Sequence, residues 1–351
     1  MKNPKQRKQL ANSSNDSLKR LELRRSRCPV PAFDDALPIN QHREEIARLI
    51  ENNQVVIVCG ETGSGKTYPV LRICDQLLGI PREDRDFNLL IIQALKRDAD
   101  FLIKRHNNLK VIEWKDFRRA MLQVENWDTP IDKINSFCGV FSTVNWLMLH
   151  SQPLFKRAVV RCCEKNKVFD GSELYPIFSE LFKEIDGAAK DFDLDGYEHR
   201  NVRDHIKFVV SSIIETNEIL DCRCGLTVQD FFSQEDVILN VMGEDNDYII
   251  GTIVADILSD LRRFYEKSPL HPPKLRTLIV VDECRRIFPT GSEDNKSVHK
   301  SNSKMERFVT TRRSSGIGLI AITQEPQSSP DWLTNNSAYV LSFPIGGTGR
   351  K

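Results

Sequence analysis

Gly60-Glu61-Thr62-Gly63-Ser64-Gly65-Lys66-Thr67 matches the pattern G-x-x-x-x-G-K-[ST]. Glycines at these spacings let successive backbone N–H groups curl around phosphate oxygens, and a helix starting at the end of the loop turns its positive end toward the same anion. Lys66 would reach the outer phosphates of a nucleotide, and the Thr67 hydroxyl would ligate magnesium. Hydrolysis at such a cradle also needs two carboxylates, one for the magnesium shell and one to take a proton from water. Asp282 and Glu283 supply that pair directly after the apolar run Leu278-Ile279-Val280-Val281, with Asp282 as the magnesium-side group and Glu283 as the base. The expected cofactors are ATP and Mg2+.

Two further polar features could act on the terminal phosphate. Gln324 follows the apolar run Leu319 to Thr323, at the carboxyl edge where open α/β sheets bind ligands. Arg312 and Arg313 precede the turn Gly316-Ile317-Gly318, and Arg313 is the candidate finger that a neighbouring subunit would receive. A surface arginine pair that is merely solvated is the plain alternative.

The elements that must position these groups are legible as short apolar runs at Val55–Cys59, Leu89–Ile92, Val237–Met242, Thr277–Val281, Leu319–Thr323 and Tyr339–Phe343. They are continuous and not alternating, the mark of parallel strands covered on both faces. Helical patterns separate them: one at about His42 to Asn52, and an apolar stripe through Ile249, Ile250, Ile253, Val254, Ile257, Leu258 and Leu261. Between about Thr129 and Leu220 the spacing is helical throughout. The expectation is an α/β core with a mainly parallel sheet, formed by residues 37–128 and 221–351, with residues 129–220 as an all-helical insertion. Residues 1–36 read as a basic tail.

Charge is segregated. The chain of 351 residues has a net charge of +1, yet residues 1–27 hold nine basic and two acidic side chains, a local +7 on a body of −6. Such an arm suits nucleic-acid phosphates, whose counterions it would release; a solubilising terminus is the other reading. No apolar stretch is long enough to span a bilayer and no signal core follows the basic start, so a cytoplasmic, non-membrane protein is expected. Nine scattered cysteines read as reduced thiols, and Cys222 and Cys224 lack a partner pair at zinc-binding spacing. Asp191, Asp193, Asp195 and Gly196 begin like a calcium loop, but Val202 stands where the bidentate Glu belongs, which favours an acidic turn between helices. The four tryptophans read as packing residues.

Two resemblances follow from these residues. From about Ser17 to Leu78, centred on LPINQHREEIARLIENNQVVIVCGETGSGKT, the chain resembles the start of HrpA-type DEAH RNA helicases. From about Asn88 onward it resembles the HerA and FtsK group of DNA-pumping ATPases, including conjugation-type ATPases, through VILNVMGEDNDYIIGTIVADILSDLRRF, LRTLIVVDECRRIFP and RRSSGIGLIAITQEPQSSPDWLTNNSAYVLSFPIGG. In the second resemblance the Walker B pair falls on Asp282 and Glu283, the basic residue on Arg313 and the sensor glutamine on Gln324. The 215 positions from Thr67 to Asp282, and the 68 residues after Glu283, favour the HerA-like group over a two-domain DEAH helicase. Ile91-Ile92-Gln93-Ala94-Leu95-Lys96 lacks the acidic residue and Pro-Lys-Gly turn common in that group. The resemblance implies a RecA-like P-loop core, a magnesium-dependent ATPase acting as a DNA translocase or helicase-like motor, and a homo-oligomer in the form of a hexameric ring. A nucleotide-dependent switch or recruitment module, and an RNA helicase fragment, are the alternatives.

Overall fold

In the computed structural model the described residues are 55–59, 67–145, 151–194, 200–232, 235–270, 274–287, 315–323 and 339–342, with Glu44, Arg48, Leu147, Gly196 and Leu333. The apolar runs become strands β1 (Val55–Cys59), β2 (Asn88–Gln93), β4 (Asp236–Asn240), β5 (Thr277–Asp282), β6 (Ile317–Thr323) and β7 (Tyr339–Ser342), joined by a strand β3 (Leu109–Glu113). They form one seven-stranded sheet in the order β3-β4-β2-β5-β6-β1-β7, with every pairing parallel.

Both faces of this sheet are covered, which is why the strands carry no polar alternation. Leu89, Ile91, Ile238, Leu278, Val280, Ile320 and Ile322 face helices α1 (Thr67–Leu78) and α2 (Asp100–Arg105). Leu90, Ile92, Val237, Leu239, Ile279, Val281, Leu319 and Ala321 join a larger core on the other side. That core takes in helices α3 (Pro130–Val144), α4 (Ser151–Lys165), α5 (Phe178–Lys190), α6 (Arg200–Ile214), α7 (Val228–Phe232) and α8 (Asp247–Glu266).

Helix starts follow local chemistry. Thr129 caps α3 by accepting from the Asp132 N–H at 3.2 Å, with Pro130 in the first turn where its missing N–H costs nothing. Asn246 caps α8 in the same way through the Tyr248 N–H. Helix α8 lies between the sheet and the helical layer and is buried on nearly every side, so its two buried acidic residues, Asp256 and Asp260, need partners. Asp256 and Asp260 receive Arg119 and Lys133, and Arg263 bridges Asp260 and Asp128. Burial pushes the Asp260 carboxyl up, and the cations of Lys133 and Arg119 outweigh it, so its pKa lies below the ordinary value. At the opposite, amino edge of the sheet, Asp236 ion-pairs with buried Arg85 and accepts the Leu89 N–H at 2.7 Å, which fixes β4 against β2.

The expectation of six strands misses β3, and the helical stretch therefore lies between β3 and β4, not directly after β2. The strand escapes notice because Leu-Lys-Val-Ile-Glu sits at the edge of the sheet, where only Leu109 and Ile112 are buried and the apolar run is broken by charge. The strand expected to reach Met242 ends at Asn240. The chain enters and leaves the helical layer at one point: the Arg119 N–H donates to Ile219 O at 2.9 Å and the Leu226 N–H to Arg118 O at 2.7 Å. Of the expected entry helix, Glu44 and Arg48 are helical, and its other residues, like the basic tail, lie outside the described ones.

Candidate nucleotide site

Residue Thr67 opens α1, whose buried face, Val70, Leu71, Cys74 and Leu78, anchors it under the sheet. Asp282 ends β5, which is held between β2 and β6. The two side chains meet: the Thr67 hydroxyl Oγ1 lies 3.4 Å from Asp282 Oδ1 across 215 positions of sequence. A hydroxyl and a carboxylate are hard oxygen donors of the kind magnesium takes in nucleotide sites, so this pair fits that ion. Register adds a second juxtaposition. Cys59, which precedes Gly60, is the direct partner of Thr323, which precedes Gln324.

Glu283 follows in a left-handed conformation, with φ 57°, and is half-buried. For a side chain other than glycine this region costs of order 1–3 kcal/mol and tends to persist at functional sites. Short helix α9 (Cys284–Ile287) begins at once, with the Arg286 N–H donating to Glu283 O at 3.1 Å. The carboxylate pair is thus divided, Asp282 on the strand and Glu283 on a bent exit.

A polar row extends from Asp282 along the carboxyl edge of the sheet. Gln93 is its register partner on β2 and is buried; the Gln93 amide donates to Asn240 Oδ1 at 2.6 Å and accepts the Ala99 N–H at 2.7 Å. Asn240 donates to Glu113 at 3.1 Å, and Glu113 holds Arg97 through two contacts of 3.2 and 2.9 Å. The missing acid after β2 therefore has a local explanation. At this place the chain uses a neutral amide that closes its own loop.

The residues Gly60, Glu61, Thr62, Gly63, Ser64, Gly65 and Lys66, and Arg312, Arg313 and Gln324, lie outside the described ones. The described part of the calcium-like run, Asp191 to Leu194, is an acidic turn: Asp191 caps α5 and its carboxylate is taken by Arg157 at 2.6 Å and Arg161 at 3.1 Å. Trp114 stacks on Phe117 and Trp127 meets Phe264 edge-on, as packing residues do; Trp146 and Trp332 lie outside the described residues. Among the described residues no helix is long and apolar enough to cross a membrane.

Solved structures share this fold. VirB4 of Thermoanaerobacter pseudethanolicus superposes with a TM-score of 0.57 at 14% identity, over 84% of this chain and 77% of that one. The fold is RecA-like. The plasmid coupling protein TrwB in complex with ADP and Mg2+ gives a TM-score of 0.57 at 11% identity, over 82% of this chain and 70% of that one. TrwB in complex with a non-hydrolysable ATP analogue gives 0.53 at 12% identity, over 78% and 64%. No family model matches the chain. In sequence, the ATP-dependent RNA helicase HrpA of Escherichia coli is 46% identical over 55 residues, and the HrpA homolog of Haemophilus influenzae 44% over 59. Those matches cover 16% of this chain, which spans about 4% of the length of either relative.

Sequence reasoning missed Arg286. Its guanidinium donates from Nε to Asp247 Oδ1 at 2.7 Å, from one terminal nitrogen to Ala94 O at 2.6 Å and from the other to Glu244 O at 3.0 Å. Its only signal in the sequence is its place, four residues after Asp282 and directly after another arginine.

Proposed function

We propose that the chain is a magnesium-dependent ATPase that works on nucleic acid, DNA before RNA, as a translocase or helicase-like motor. The contact between Thr67 and Asp282 carries this reading, because it joins the end of a phosphate-binding motif to a distant strand-end carboxylate. Residues Gly60 to Lys66 bind the phosphates, Lys66 as the point charge; Thr67 and Asp282 hold magnesium, which when bound neutralises charge on the phosphate oxygens. Glu283 orients water and accepts its proton as the oxygen attacks the γ-phosphorus and the bond to the β–γ bridging oxygen breaks, releasing ADP and phosphate, and Gln324 senses the terminal phosphate. Arg313 of a neighbouring copy completes the site, which requires a homo-oligomeric ring. Residues 37–128 and 221–351 form the ATPase core, residues 129–220 its helical insertion, and residues 1–36 a basic arm for nucleic acid. The nucleotide and magnesium complexes of TrwB, which shares the fold, support the choice of cofactors.

Hydrolysis of ATP measured with single-stranded DNA, duplex DNA and RNA at two salt concentrations tests the reading. DNA stimulation that falls steeply with salt is expected. Lys66→Ala should abolish turnover, and Glu283→Gln should bind ATP without cleaving it. The HrpA match favours a second reading, an RNA-stimulated enzyme, and stimulation by RNA above DNA would select it. Nucleotide binding by a monomer whose slow hydrolysis ignores both polymers would instead identify a switch or recruitment module.

A further inference from the structure

Resting on the assignment of Glu283 as the base, we infer that Arg286 is a positioning residue that fixes this glutamate for hydrolysis. The backbone of Glu283 occupies a region that side-chain-bearing residues leave readily, so something must hold it there. Strand β5 constrains it from one side. On the other side it runs directly into α9, whose described residues are Cys284–Ile287. Cys284 and Ile287 bury one side of α9, and Arg286 ties the turn to two other strand exits. Its acceptors are Ala94, just past β2, and Glu244 and Asp247, in the connection from β4 to α8. Three neighbouring strand ends, β5, β2 and β4, are strapped together by one planar group.

A trans-acting finger is the competing role for an arginine beside the Walker B pair. The geometry opposes it, since each of the three guanidinium nitrogens is already bonded within this chain and the side chain is only 17% exposed. The acceptors also lie on the β2 and β4 side of β5, whereas β6 and β1 lie on its other side. Lysine could not replace it, because a single ammonium does not reproduce the rigid fork that meets separated acceptors.

Steady-state hydrolysis and fluorescent ATP-analogue binding with Mg2+, on the full chain, test this role for Arg286→Ala, Arg286→Lys and Asp247→Asn. Arg286→Ala should lower kcat at least about tenfold, with KM and nucleotide Kd within about threefold of wild type. Arg286→Lys should stay impaired. Asp247→Asn, which weakens one of the three contacts and leaves the turn otherwise intact, should lower kcat about threefold and serves if the alanine variant does not fold. In a Glu283→Gln background, whose trace residual hydrolysis is read in a single turnover with enzyme in excess, Arg286→Ala should produce no further loss, since the group it positions is gone. Wild-type kcat in Arg286→Ala, a parallel loss of nucleotide affinity, or full additivity with Glu283→Gln would each overturn the positioning role. Unimpaired hydrolysis in Glu283→Gln would overturn the assignment of the base itself, and the positioning role with it.

Discussion

Replacing Lys133 by Met should destabilise the fold by about 3–5 kcal/mol, the cost of stripping one partner from a buried ion pair. Lys133, in the first turn of α3, has a side chain only 1% exposed and reaches Asp256 at 3.3 Å and Asp260 at 2.6 Å on α8. At an effective dielectric of 20 the shorter contact alone is worth about 6 kcal/mol gross. Removing the ammonium also removes its own desolvation cost of several kcal/mol, so the net loss is smaller than the gross attraction. What remains is the uncompensated burial of carboxylates, with Arg119 and Arg263 as the remaining buried cations beside Asp256 and Asp260. Met fills nearly the same volume, so little of the effect comes from a cavity. Urea unfolding followed by circular dichroism measures it; in a thermal scan, at about 2 °C per kcal/mol for a large domain, the midpoint should fall by roughly 6–10 °C.

The sign of the pH dependence sharpens the test. In the wild type Asp260 has a depressed pKa, so its contribution is complete above the unfolded value of about 3.9 and is lost as pH falls through the lower folded value. Without Lys133, burial meets weaker opposition and the folded pKa rises. The deficit of Lys133→Met should then be smaller at about pH 4.5 than at about pH 7.5, because protonation relieves the variant before it harms the wild type. A deficit under about 1 kcal/mol, or one equal at both pH values, would refute the claim that this lysine is needed to neutralise the buried carboxylates.

Asp282→Asn should weaken nucleotide binding in Mg2+ and leave binding in EDTA unchanged, read by a fluorescent ATP analogue; equal effects in both would remove Asp282 from the magnesium shell. Gly316→Ala should cost roughly 2–5 kcal/mol in urea unfolding, since Gly316 has φ 75° and an added Cβ would lie 2.2 Å from Lys274 O; a loss below 1 kcal/mol would mean that this turn relaxes freely. The buried thiols of Cys74, Cys162 and Cys163 are pushed up to about 12 from 9.0 by burial. Their stabilisation is complete below pH 9.0 and declines as pH rises toward 12, by about 1.4 kcal/mol per pH unit for each thiol. Unfolding free energies flat across that range would contradict it. Deleting residues 1–27 should weaken nucleic-acid binding and spare basal hydrolysis; unchanged binding would reduce the arm to a solubilising terminus.

Legibility in the sequence tracked how local each feature is. The continuous runs of β2, β4, β5 and β6 announced parallel strands, since each strand needs apolar residues on both faces wherever it falls in the sheet. Strand β3 gave no such signal, because an edge position asks for only two buried side chains. The segment Ile91 to Lys96 read only as lacking an acid; the Gln93 bond to Ala99 closes a local loop, but its bond to Asn240 depends on β4 returning from 147 residues away to lie beside β2. Arg286 was invisible for the same reason. Its acceptors come from two connections whose proximity is a property of strand order and not of spacing along the chain.

The sequence by itself determined which groups could do chemistry: a phosphate cradle with Lys66 and Thr67, and a carboxylate pair at Asp282 and Glu283. Such motifs are read without a structure because their mechanism requires particular residue types at covalently set spacings. Only the tertiary structure decided that Thr67 meets Asp282, that Glu283 leaves the strand in a left-handed bend, and that Arg119 and Lys133 reach two buried aspartates on α8 from outside that helix. Those outcomes depend on which strands become neighbours, and packing settles that order by burying both faces of the sheet at once.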